Sequence, residues 1–300
     1  MPLVRAAVLV LAGAPALAQT VPTEAEVRAA FADPAPAAEA TVTLDNGAYA
    51  AILSARVGRS EGGVATFDYA AVTDADRAAL EGYIDMLEAV DPLSLTRDQQ
   101  IAYWVNLYNS VTLEVVLDHM PVDSIRDIML DPMTGRGTDA GFFAALASAF
   151  SGGGPWDAPL AQVNGLTLTL NDIEHQILRS WGEPRIHYAV NCASYGCPDL
   201  RAEPWTAEGL DAALDAAAVD FLNHPRGIAA DADGALTASS IFDWFQEDFD
   251  STEQGVIDHA MSFATGGLAD ALAASTSIAD FEYDWSLNSP AEVAEVETRL

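Results

Sequence analysis

Lysine is missing from this chain. All thirteen basic residues are arginine, set against 45 acidic ones, for a formal charge of -32 at pH 7. A surface this negative repels nucleic acid and anionic membranes, because binding either needs a cationic patch that displaces counterions. Nucleic acid is therefore excluded as a partner, and the charge reads as a solubility device for an exported protein. Cysteine is scarce, with Cys192 and Cys197 alone. Long apolar runs are lacking too. The run at 6–17 falls short of the ~20 residues of a membrane span, so none is expected. We expect no cofactor.

That run instead has the form of an export signal. Arg5 provides the charged start, and Ala16 and Ala18 place cleavage after Ala18, leaving a net charge of -33. No cysteine follows the cut, so a lipid anchor there is not expected, and the mature chain is read as periplasmic or secreted. Residues 1–18 are thus a signal peptide and 19–44 an amino-terminal segment and linker, with an Ala/Pro-rich tether at 32–40. A single domain follows at 45–290, beginning its folded body near Ala48, and then a tail at 291–300.

Periodicity supplies the elements. Residues 24–31 suit a short helix, 67–72 a short extended piece, and 74–90 a helix closed by Asp91-Pro92. Arg97–His119 is the clearest helix, opened by a Thr96/Gln99 capping box and closed by Pro121. It is apolar around most of its circumference, so Asn106 and Asn109 need hydrogen-bond partners. They either tie the helix to a loop or orient a catalytic imidazole or an oxyanion. A helical piece is expected at 141–150, before the SGGGP loop, and a hairpin at 163–170 around Asn164-Gly165.

Asn171 is read as the start of the next helix, with Glu174 at its third position as a capping residue and His175 in the first turn. Residues 186–192 alternate as a strand, with Cys192 pointing away from His187. A helix follows at 207–223, then a hairpin at 228–238. Its DADG lacks the remaining oxygen ligands of a calcium loop and reads as a turn. Ser240 and Ser251 are expected to cap further helices. The segment from Phe281 to Leu287 alternates as an aromatic strand, and Trp244, Phe245, Tyr283 and Trp285 are expected in the core. His119 and His224 end helices, and His259 is expected at the surface. The sum is α+β: a mostly helical single domain around a small, largely antiparallel sheet.

Six segments, in order, carry a family likeness: YWVNLYNSVTLEVVL at 103–117, SIRDI at 124–128, LNDIEHQILR at 170–179, RIHYAVNCASYGCPDL at 185–200, SSIFDWFQEDF at 239–249 and YDWSLN at 283–288. Together they resemble the family catalogued as domain of unknown function 547, over roughly residues 45–290. The resemblance implies a domain of bacterial exported and plant proteins, with no established reaction. It singles out Asn106, Asn109, Glu174, His175, His187, Cys192 and Cys197.

Three chemistries compete for these residues. A thiol nucleophile needs a thiolate, an imidazole and an orienting group. Cys197 with His187, or Cys192 with His175, could serve in hydrolysis or acyl transfer at an amide or ester, with Glu174, Asn106 or Asn109 orienting. A Cys192–Cys197 disulfide would instead leave a binding module for a small-molecule, peptide or cell-envelope ligand. A zinc site is the third possibility, weakly supported by one short cysteine pair.

Overall fold

In the computed structural model, residues 21–131, 133, 135 and 154–299 are described. The export signal at 1–18, the piece at 141–150 and most of the SGGGP loop lie outside them. The fold is α+β and mostly helical, with its strands in three small sheets.

The larger core packs around α4, Arg97–His119. Thr96 and Gln99 form the expected capping box at its start. Every residue from Gln100 to Leu117 except Glu114 is buried, so the helix is enclosed on all sides, as its lack of a polar face requires. The preceding helix α3, Asp74–Glu88, lies against it, and Tyr103 donates to the Leu87 carbonyl at 2.9 Å. The folded body begins earlier than Ala48. Helix α1, Glu24–Val27, continues into a π turn to Ala32, and Phe31 packs edge-on against Trp104 at 5.1 Å. Asn46-Gly47 opens helix α2, Gly47–Arg56.

Hairpin β1–β2 pairs Val57–Arg59 with Ala65–Phe67, so the extended piece expected at 67–72 ends at Phe67 and winds into a 3-10 turn. Hairpin β3–β4 pairs Ala161–Val163 with Leu166–Leu168 across the expected Asn164-Gly165 turn. It feeds helix α5, Asp172–Leu178. Residues 186–192 are not a strand. Pro184, with its φ preset, starts a 3-10 helix from Pro184 to Tyr188, and the amides of Ala189 and Val190 bond back to the Ile186 carbonyl. The stretch is buried on every side, so its apolar alternation marks no sheet face.

A second core forms around helix α6, Leu210–Leu222, and the sheet of β5, Ile228–Ala230, β6, Leu236–Ser239, and β7, Asp280–Glu282. Strand β6 is antiparallel to β5 and parallel to β7. At the DADG turn the Asp231 carboxylate accepts from the Asp233 and Ala235 amides. Helix α7, Ile241–Trp244, is capped by Ser239 in place of Ser240; α8, Glu253–Met261, is capped by Thr252 in place of Ser251. Helices α9, Gly266–Ala274, and α10, Pro290–Arg299, complete the chain. His259 is enclosed by Tyr188, Phe249 and Phe263, not at the surface. Among the described residues no helix is long and apolar enough to cross a membrane.

Candidate functional site

Where α4, α5, α7, the 190–198 loop and the segment after β7 meet, they leave a cavity of about 180 Å³. Five of the seven expected residues line it: Glu174, His175, His187, Cys192 and Cys197. Asn106 and Asn109 do not.

Helix α5 aims the carboxyl group. The cap belongs to Thr169, whose hydroxyl accepts the Asp172 amide at 2.9 Å, while the Asp172 carboxylate accepts the Thr169 amide at 2.9 Å. Glu174 is therefore not a capping residue, as the reading from Asn171 expected, and its side chain is released into the cavity. The helix is wound as a π turn, with the Arg179 amide reaching the Glu174 carbonyl five residues back. Such wide turns recur at functional sites. Glu174 is 7% exposed and takes part in no ion pair among the described residues. Burial first, and then the Glu174 carboxyl group, pushes the pKa of Tyr108 far up.

The imidazoles have separate surroundings. His187 lies flat on Phe245 at 4.5 Å, and its Nε2 is 2.7 Å from the Asp248 carboxylate. Burial would raise the Asp248 pKa, but hydrogen bonds from His187 and Arg179 outweigh it and hold Asp248 low. His175 has a buried Nδ1 with no protein partner. Burial depresses its pKa, which favours the neutral imidazole.

Cys192 and Cys197 are joined in a disulfide. Bridged sulfur carries no hydrogen, so it can only accept. The Cys197 sulfur accepts the Cys192 amide at 2.9 Å, and the Tyr283 hydroxyl lies 3.1 Å from both sulfurs. The Ser194 hydroxyl stands 2.8 Å from that of Tyr283. Neither sulfur has an imidazole among these partners. The strand parity that would have turned Cys192 away from His187 fails with the strand itself, and both side chains line one cavity.

The two asparagines act as struts. Asn106 donates to the Trp205 carbonyl at 2.8 Å and accepts its amide at 2.9 Å. Asn109 donates to the Ala189 carbonyl at 3.0 Å and accepts the Asn191 amide at 2.8 Å. Both amides are spent on backbone, so neither orients an imidazole.

The aromatic residues expected in the core form the cavity's outer wall. Trp244, 46% exposed, stacks on Trp285 at 5.6 Å and meets Tyr283 at 4.9 Å, while Trp156 meets Trp285 edge-on at 5.7 Å. Tyr108, Trp156 and Asp248 are residues of the site that the sequence reading does not single out. Tyr108 shares a helix face with core residues, while Trp156 lies 129 positions from Trp285 and Asp248 61 from His187, beyond the reach of any local pattern. Among the described residues no three His, Cys, Asp or Glu side chains converge as a metal centre needs.

Residues 92–222 match the family described as "Protein of unknown function, DUF547". The match takes in all seven positions singled out by the resemblance. No curated protein and no solved structure matches the chain.

Proposed function

We infer that this is an exported binding protein whose cavity holds a small ligand, and that the Cys192–Cys197 bridge shapes the cavity floor without taking part in a reaction. One observation carries the reading: aromatic rings and a buried carboxyl group line one preformed hollow whose two sulfurs are bonded to each other. The volume is below the ~300–1,000 Å³ of drug-sized ligand sites, so the occupant is small or inserts only its end. A disulfide suits an oxidising compartment, in keeping with the signal-like amino terminus.

The test sets this reading against thiol-dependent hydrolysis. Oxidised and reduced protein are compared on activated esters and amides, beside a thermal-shift panel of small ligands. Binding predicts ligand-induced stabilisation of the oxidised protein and no turnover in either state. Hydrolysis that appears on reduction and is lost in Cys192→Ser or Cys197→Ser would replace it. Export predicts that the mature chain begins at Gln19, read by amino-terminal sequencing.

A further inference from the structure

We propose that the ligand is a small organic cation of the alkylated ammonium class, bound between the carboxyl group of Glu174 and the aromatic wall. This rests on the binding reading and names its ligand class.

Three observations converge. First, Glu174 is a buried carboxyl group with no cationic partner among the described residues, whereas its neighbour Asp248 is bound by Arg179 at 2.5 Å. Buried charges are ordinarily paired, and the open side of Glu174 is the cavity. An entering cation would therefore find this carboxyl group free to pair with it. Second, the facing wall is built from Trp156, Trp244, Tyr283 and Trp285. The faces of such rings carry negative quadrupole potential, with Trp the strongest. No arginine is among the lining residues, although Arg126 stands 5.2 Å from the centre of the Trp285 ring and Arg179 4.8 Å from that of Phe245. Third, burial favours the uncharged form of His175, which places little positive charge beside Glu174.

The wall also selects among cations. A hard metal ion needs several oxygen, nitrogen or sulfur donors, and no such cluster exists among the described residues. A weakly hydrated alkylammonium loses little on leaving water and gains contact with ring faces. The chain's formal charge of -32 adds a long-range field that draws cations toward the protein.

Choline and its uncharged carbon isostere dimethylbutanol serve as the probe pair, titrated calorimetrically against the oxidised full-length mature chain. The proposal expects choline to bind at least about tenfold more tightly than the isostere. It also expects Glu174→Gln to abolish that preference and Trp244→Ala to weaken choline by about tenfold. Trp244 is exposed, so its replacement leaves the fold intact, and circular dichroism verifies folding of both variants. Equal binding of choline and the isostere, or retention of the preference in Glu174→Gln, overturns the cation while leaving a binding pocket. Tight binding of a neutral sugar in place of choline does the same. Failure of every ligand class in the panel defeats the binding reading itself.

Discussion

Asn106 and Asn109 show how much of this architecture hangs on single side chains. Each amide satisfies one backbone N–H and one carbonyl of a loop that has no sheet to pair with. Replacement by Ala strands two buried groups at once, so each variant should lose about 2 to 4 kcal/mol in chemical denaturation. Asn109→Asp should be no better, because it keeps the acceptor, loses the donor and buries a charge.

Two other residues set opposing responses to pH. Glu114, the only break in the buried run of α4, has its pKa raised to about 7 by burial, with Asp118, Glu81, Glu88 and Asp85 adding to it. Its folded value lies above the reference 4.5, so it holds a proton that the unfolded chain has released, and stability falls as pH rises from 4.5 through about 7. His259 is lowered by burial from 6.5 to about 4. Its contribution has the opposite sign, and stability falls as pH drops from 6.5 through about 4. Glu114→Gln should therefore raise Tm at about pH 8 and leave it nearly unchanged at about pH 4. An equal gain at both pH values would refute the assignment.

At the scale of elements, the site is held by the contact between the disulfide loop and the segment after β7. The Gly196 amide donates to the Asp284 carbonyl at 2.9 Å and the Tyr195 amide to Ser286 at 2.7 Å. A Cβ on Gly196 would stand 2.9 Å from the Tyr283 ring and 3.0 Å from the Asp284 carbonyl, closer than real contacts allow. Gly196→Ala should displace Tyr283 from the sulfurs, weakening ligand binding more than it lowers Tm. Parallel titration and thermal melts measure the two effects. Elements with strong local signals were legible in advance: α3, α4 with its capping box, and both Asn-Gly and Asp-Gly hairpins. The 3-10 segment Pro184–Tyr188 was not, because burial on all sides imitates strand alternation. The release of Glu174 is hidden by a two-residue ambiguity between two overlapping capping boxes, Asn171/Glu174 and Thr169/Asp172. Five of the seven expected residues share the cavity, yet the aromatic wall was taken for core. An amphipathic ring looks the same in sequence whether it seals a core or borders a hollow.

Across the whole molecule, charge dominates. With 45 acidic residues against thirteen arginines, self-repulsion outweighs the scattered surface ion pairs, which are each worth little. Monovalent salt should raise Tm, since the Debye length shrinks to ~10 Å at 0.1 M, while slowing association with a cationic ligand. A fall in Tm on adding salt would mean that the ion pairs matter more than the net charge. The amino-terminal turn at 24–32 belongs to the same cooperative body, because Val27 and Phe31 are sealed in the α4 core.

The most direct test of the account is a tryptophan-fluorescence titration of the cavity ligand before and after reduction of the Cys192–Cys197 bridge. Trp156, Trp244 and Trp285 line the cavity and report occupancy. The account predicts saturable binding by the oxidised protein, with reduction weakening it at most modestly. Binding or turnover that appears only once the two thiols are free would contradict it.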